Sequence, residues 1–149
     1  MSKSGLSYGY KLLSIRDYFT KELFYKIEKK FGTQEASNTI NELTSLGFLD
    51  DNKVTDNYIR QKLTSGYGPY YISNKLYEWG CEKDISYIEN IALKEDIDIA
   101  SYILKYSSRY KKENSRDPYK DYIKCVNFLR NKGYAQSVIM NTIKKEDFI

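Results

Sequence analysis

Two cysteines, Cys81 and Cys125, are the side chains best suited to nucleophilic or metal chemistry in this chain of 149 residues. Neither finds the usual helpers. No histidine occurs in the sequence, so no serine or cysteine nucleophile can be given an imidazole base, and the common zinc-hydrolase ligand set cannot be assembled. Two thiols 44 positions apart cannot close a structural zinc site alone. Both fall on apolar helix positions and read as small buried hydrophobes, and free thiols without a disulfide framework fit a reducing compartment. The acidic pair Asp50-Asp51 stands directly before an apolar-periodic stretch. There a carboxylate caps a helix, an interaction worth about 1 kcal/mol. The turn Gly66-x-Gly68 lacks the glycine spacing and the preceding strand of a nucleotide loop. These residue types in this arrangement favour a binding protein over an enzyme, with no metal and no cofactor.

Contact chemistry is better supplied. Lys and Arg total 24 against 20 Asp and Glu, giving a net charge of +4. Residues 1–64 carry 10 basic and 8 acidic side chains, residues 65–112 carry 7 and 7, and residues 113–149 carry 7 and 5. So even a spread reads mainly as solvated helix faces. Lys26, Lys29 and Lys30 nevertheless gather at the end of one expected helix, and Arg130 and Lys132 at the end of another. Equivalent positions of this kind could line one side of a stacked array and meet phosphate or an acidic protein surface. Of the sixteen tyrosines, Tyr18, Tyr58 and Tyr122 sit on apolar stripes and belong to the core. Tyr67, Tyr70 and Tyr71 cluster at a Gly-Pro turn where no stripe demands them; aromatics there can anchor a protein partner or stack on unpaired bases. Arg60, Lys62 and Lys75 complete the candidate contact set. Trp79, just before a helix stop, is expected to pack between modules.

The elements that must position these groups are helices throughout, because apolar residues recur with helical spacing and no strand-type alternation appears. A helix opening after Ser14, with Asp17 completing a capping box, carries the stripe Ile15, Phe19, Leu23, Ile27 and Phe31 and stops at Gly32. A second starts at Thr33 with Ala36, Ile40 and Leu43 inward and ends at Gly47; a third follows Asp50-Asp51 with Val54, Tyr58, Ile59 and Leu63. Pro69 begins a fourth, carrying Ile72 and Leu76 and ending at Gly80. The fifth is expected over residues 82–93 and the sixth over 95–110, the latter with Ile99, Ala100, Ile103, Leu104 and Ser107 inward. Asp117-Pro118 opens a seventh that closes at Gly133, and residues 135–145 form an eighth with Val138, Ile139 and Ile143. Residues 1–13 show no clear period and are expected as a tail.

Three stretches share one skeleton: Leu23-xxx-Ile27-xxx-Phe31-Gly32, Ile72-xxx-Leu76-xxx-Gly80-Cys81 and Cys125-xxx-Leu129-xxx-Gly133-Tyr134, starting 49 and then 53 residues apart. The spacing predicts an all-α chain of tandem three-helix modules. The modules run over residues 14–65, 66–112 and, truncated to two helices, 113–149. The expected arrangement is an elongated, curved, right-handed array of 3+3+2 helices.

These same stretches resemble the RecX family of regulatory proteins. Residues Gly68 to Cys81 are similar to its pattern G-x-x-x-I-x-x-x-L-x-x-x-G, followed by Ile or Val. Glu22-Leu23-Phe24-Tyr25-Lys26-Ile27 resembles its EL-x-x-KL segment, and Leu46-Gly47-Phe48-Leu49-Asp50-Asp51 its link between second and third helices. Phe128-Leu129-Arg130-Asn131-Lys132-Gly133-Tyr134 resembles its closing L-x-R-(R/K)-G-F. The matches keep family order across most of the chain, although Phe31-Gly32 inverts the expected glycine–aromatic order. The resemblance implies a non-enzymatic modulator of the RecA recombinase. Such a protein binds the filament RecA forms on single-stranded DNA, limits its ATP hydrolysis and strand exchange, and thereby restrains DNA repair, recombination and the SOS response. Lys26, Lys29, Lys30, Arg60, Lys62, Tyr67, Tyr70, Tyr71, Lys75, Arg130 and Lys132 are the residues expected to face that filament, with weak contact to single-stranded DNA. A free-standing nucleic-acid binder and a general protein-interaction scaffold are the alternatives. No run of 18 apolar residues occurs, so a monomeric, soluble, cytoplasmic protein without a membrane partner is expected.

Overall fold

The computed structural model describes residues 3–149, and every regular element among them is helical. In chain order these are α1 (Lys3–Ile15), α2 (Thr20–Phe31), α3 (Thr33–Ser45), α4 (Asp51–Thr64), α5 (Pro69–Glu78), α6 (Ile85–Lys94), α7 (Ile99–Ser107), α8 (Pro118–Asn131) and α9 (Gln136–Thr142). A single 3-10 turn, Lys145–Phe148, follows. The chain divides into two compact units. The first holds the described residues up to Tyr58 together with Leu76–Glu82; the second holds Ile59–Lys75 and Lys83–Ile149.

The shared skeleton has a common physical basis. Leu23, Ile27, Ile72, Leu76, Cys125 and Leu129 are all fully buried, and each stretch stops at a glycine with positive φ: Gly32, Gly80 and Gly133. The same ending recurs at α3, α4, α5, α6 and α8. The amide three residues past the helix reaches back to the carbonyl of its last turn, as Phe48 to Leu43, Tyr67 to Lys62, Cys81 to Leu76, Ile97 to Ala92 and Tyr134 to Leu129. Such a closure satisfies a carbonyl that would otherwise lack a partner and fixes the direction in which the chain leaves.

In the first unit, Leu23, Ile27, Ala36, Leu43 and Tyr18 form the core, with Leu6, Leu12 and Leu13 of α1 packed on it. Residues 3–13 are therefore helix, where a tail was expected. Gly5 and Gly9 weaken the helical signal, yet they let α1 lie close on α3: a Cβ on Gly9 would come within 3.1 Å of Leu43 Cδ1. α1 ends at Ile15, which is 72% exposed instead of heading the expected stripe. α2 opens only at Thr20, where two carboxylates, one from its own first turn and one from Asp51, satisfy the amides at its start. Glu22 Oε1 accepts from the Phe19 amide (3.3 Å), and Asp51 Oδ1 accepts from both the Thr20 amide (2.8 Å) and its hydroxyl (3.0 Å). Asp50 caps α4 itself through the Lys53 amide. The acidic pair is thus structural, and its two carboxylates serve two helices. Trp79 stacks on Phe19 within this unit, 6.2 Å between ring centroids.

In the second unit, Ile103, Cys125, Leu129, Tyr134, Ile139 and Ile143 make the core, closed by Phe148 of the last turn. α6 starts three residues later than expected, since Asp84 caps it by accepting from the Tyr87 amide at 2.9 Å. It also ends differently. Asp96 takes the left-handed conformation (φ 57°) that glycine supplies elsewhere, so the chain turns there and α7 begins at Ile99 instead of continuing from Glu95. Aspartate tolerates that region better than most side chains. α7 is short, and Leu104, expected inward, is half exposed while Ser107 is fully buried, its hydroxyl donating to the Leu104 carbonyl. The expected eighth helix is α9, which stops at Thr142 before the 3-10 turn. Cys125 is fully buried as read, whereas Cys81 is half-buried.

One junction joins the start of α5 to the end of α8 by main chain alone. The Gly68 amide donates to the Lys132 carbonyl at 2.7 Å, and the Tyr70 amide donates to the Gly133 carbonyl at 2.9 Å. A Cβ on Gly68 would overlap the Gly133 carbonyl, and a Cβ on Gly133 would overlap the backbone of Tyr71. Gly133 also holds φ at +98°.

Two outcomes follow from this packing. Gly68→Ala and Gly133→Ala should each cost about 3 kcal/mol or more in urea unfolding, because backbone, not a movable side chain, occupies the space. Gly80→Ala, where the nearest atom is 4.0 Å away, should cost only roughly 1–2 kcal/mol from its positive φ. Burial raises the Cys125 thiol to about 11. Thiol titration at neutral pH should therefore modify Cys81 in the folded protein and reach Cys125 only after denaturant is added.

Candidate functional site

The Gly66–Tyr71 turn is built from its carbonyl outward. Gly66 O accepts hydrogen bonds from two phenols, Tyr134 at 2.8 Å and Tyr106 at 3.1 Å. Burial pushes the Tyr134 phenol well above the ordinary tyrosine range, so it stays a donor across any physiological pH. With the carbonyl and the Gly68 and Tyr70 amides all engaged, the turn is held at both ends. Its side chains are thereby presented in one geometry.

Tyr67 lies flat against Tyr71, with ring centroids 4.3 Å apart and planes 24° from parallel. Three ammonium groups surround the pair. Lys132 Nζ stands 4.0 Å from the Tyr67 centroid, Lys62 Nζ 5.2 Å from the same ring, and Lys75 Nζ 5.7 Å from Tyr71. The Lys132 ammonium also lies 5.6 Å from the Tyr106 ring and 6.0 Å from Phe128. Cation–π attraction of roughly 0.5–1 kcal/mol per exposed contact holds the long lysine side chains near the rings. Residues distant in sequence, from Lys62 to Lys132, thus form one patch of positive charge on an aromatic platform. Such a patch suits anionic partners: carboxylates of an acidic protein surface, or phosphodiester with stacked bases.

The remaining sequence-predicted residues sit differently. Tyr70 belongs to the same turn but points outward, 49% exposed, and its amide rather than its ring is used locally. Arg130 is exposed in the last turn of α8, two residues before Lys132. Arg60 is committed to Glu95 in a 2.7 Å ion pair. Lys26, Lys29 and Lys30 lie on α2 in the first unit, with Lys30 Nζ 4.6 Å from the Tyr8 ring. Sequence reasoning missed Tyr106 and Tyr134. Tyr134 carried a usable signal, since an apolar residue directly after a helix-ending glycine commonly packs back on the structure. Tyr106 carried none, because its partner Gly66 lies 40 residues away. Among the described residues no three side chains of metal-ligating type gather, and no helix is long and apolar enough to cross a membrane.

No family model matches the sequence. Among curated proteins, the chain is 29% identical over 136 residues to Regulatory protein RecX of Legionella pneumophila (strain Corby), covering 91% of this chain and 89% of that one. It is 24% identical over 140 residues to the protein of the same name from Thermus thermophilus, covering 94% and 90%. Among solved structures, the crystal structure of RecX from Lactobacillus salivarius superimposes with a TM-score of 0.65 at 23% identity, covering 98% of this chain and 96% of that one. The chain is thus similar in sequence to RecX regulatory proteins across nine-tenths of its length, and it shares the fold of a RecX crystal structure along nearly its whole length.

Proposed function

We propose that this protein is a RecX-type regulator that binds the filament of a RecA-type recombinase on single-stranded DNA and restrains its ATP hydrolysis and strand exchange. The observation that carries this reading is the end-to-end similarity to proteins named as RecX regulators. The lysine–tyrosine patch agrees with it chemically. Regulation by stoichiometric contact needs a rigid surface of defined charge, and the Gly66–Tyr71 turn supplies one. Lys62, Tyr67, Tyr71, Lys75 and Lys132 are the residues assigned to the partner, with Tyr70 and Arg130 at the margin. Lys26, Lys29 and Lys30 of α2 form a second basic contact, so that tandem helical modules can engage the filament at more than one point. The protein acts as a monomer in the cytoplasm, where the recombinase works.

The test is a titration of DNA-dependent ATP hydrolysis by the recombinase with increasing amounts of this protein. Hydrolysis should fall as the protein approaches the recombinase concentration. The triple variant Lys62→Gln, Lys75→Gln, Lys132→Gln should require about tenfold more protein for the same effect, the loss expected from several charged contacts at one interface, with its helical circular dichroism unchanged. Hydrolysis unaffected by the native protein, with no co-sedimentation with filaments, overturns the proposal. Tight binding to single-stranded DNA without recombinase, falling steeply with salt, would instead establish a nucleic-acid binder.

A further inference from the structure

The second unit holds another surface of opposite character. α6, the link that follows it and the start of α7 line a groove of about 690 Å³ together with Pro69, Tyr134, Ala135 and Val138. Its lining is aliphatic at Ile85, Leu93, Ile97 and Val138. Leu93, on α6, is 78% exposed, an orientation that gains nothing for the fold. The charged side chains of the lining are all carboxylates: Glu89, Asp96 and Asp98. This acidity is local. Residues 82–98 contain six carboxylates against two lysines, in a chain whose net charge is +4.

Structural roles account for some of these carboxylates but not for those lining the groove. Asp84 caps α6, and Glu95 pairs with Arg60. Asp98 occupies the N-cap position of α7, yet its side chain makes no capping bond to that helix. Asp96 turns the chain through its backbone, which leaves its carboxylate unneeded for the turn. An apolar trough with an acidic lining has the chemistry that receives a helix with aliphatic residues on one face and lysine or arginine beside them. The apolar face supplies contact area, and the flanking charges set orientation and exclude acidic competitors.

We propose that this groove docks an amphipathic, basic helical segment of a partner protein. The segment seats aliphatic side chains spaced one helical turn apart against Ile85, Leu93, Ile97 and Val138, and its lysines or arginines meet Glu89, Asp96 and Asp98. This assignment stands apart from the recombinase reading, since the groove and the lysine–tyrosine patch use different side chains and bind opposite charge.

The test uses the full chain and a fluorescent synthetic peptide of about four helical turns, with leucines one turn apart and lysines at the remaining positions. Comparison peptides are a scrambled sequence of the same composition and a version with every lysine replaced by glutamate. The periodic leucine–lysine peptide should bind about tenfold more tightly than either, a difference of about 1.4 kcal/mol. The triple variant Glu89→Gln, Asp96→Asn, Asp98→Asn keeps side-chain shape, a residue tolerant of positive φ and a good capping residue, and it should weaken binding about tenfold. Leu93→Ser should do the same from the apolar side. Amide shifts in the unaltered protein give a second reading, and they should concentrate at residues 85–100. Equal binding of the scrambled or glutamate peptide, unchanged affinity in both variants, or shifts confined to other residues would each overturn the proposal.

Discussion

The contact between Gly68 and Gly133 is the constraint on which the second unit depends. Two main-chain hydrogen bonds span it, and neither glycine has room for a side chain. The bonds themselves contribute only about 1 kcal/mol each net of hydration. Their importance is geometric. Because backbone meets backbone, the turn before α5 cannot slide or rotate against the end of α8 without losing both bonds. Everything attached to the two stretches of chain inherits that registry. Gly66 is placed where Tyr106 and Tyr134 can both donate to its carbonyl, and Lys132 arrives over the ring of Tyr67. Three lysines distant in sequence become one patch because two glycines allow a close approach.

The same economy appears at the helix ends. Five helices finish with an amide reaching back to the last turn, and in four of them glycine provides the left-handed residue that permits it. Glycine stops are readable in the sequence, and so are the apolar rows ahead of them, which is why Leu23, Ile72 and Leu129 can be assigned to cores from residue spacing alone. Where the left-handed residue is Asp96, no such signal exists, and the boundary between α6 and α7 moves by several residues. α1 is hidden for the opposite reason. Its two glycines are poor helix formers, and their use, a close approach to Leu43 and Thr39, exists only once α3 is folded beside them. Local propensity reports the cost of such residues, whereas tertiary packing alone reveals their benefit.

The candidate site is legible in part for a related reason. A Gly-Pro turn carrying three tyrosines stands out because no apolar stripe requires them, so Tyr67 and Tyr71 are identifiable as a feature. Lysines are harder to read, since their long stems can serve a solvated face or a site equally well. That Lys62, Lys75 and Lys132 gather around the rings of Tyr67 and Tyr71 is a property of the assembled unit. The acidic groove is obscured by averaging. Counted over residues 65–112 the charges cancel, and the acidic run of residues 82–98 shows only in a narrower window, while the fold is what gathers its carboxylates at Glu89, Asp96 and Asp98 into one groove.

That gathering has a physical consequence. Pro69, Tyr134 and Ala135, the residues immediately following Gly68 and Gly133, line the groove, while Tyr67 and Lys132, immediately preceding them, build the basic patch. Each stretch of chain at the joint therefore contributes on one side of its glycine to the basic patch and on the other to the lining of the groove. Surfaces of opposite charge on one unit suit partners of opposite charge and disfavour the wrong ones. Rigidity is what makes this effective, because a patch on a mobile loop would average its field over many orientations and would lose ordering entropy when it bound. The glycine joint thus links fold and recognition directly: the two main-chain bonds that fix its registry lie beside residues of both the patch and the groove.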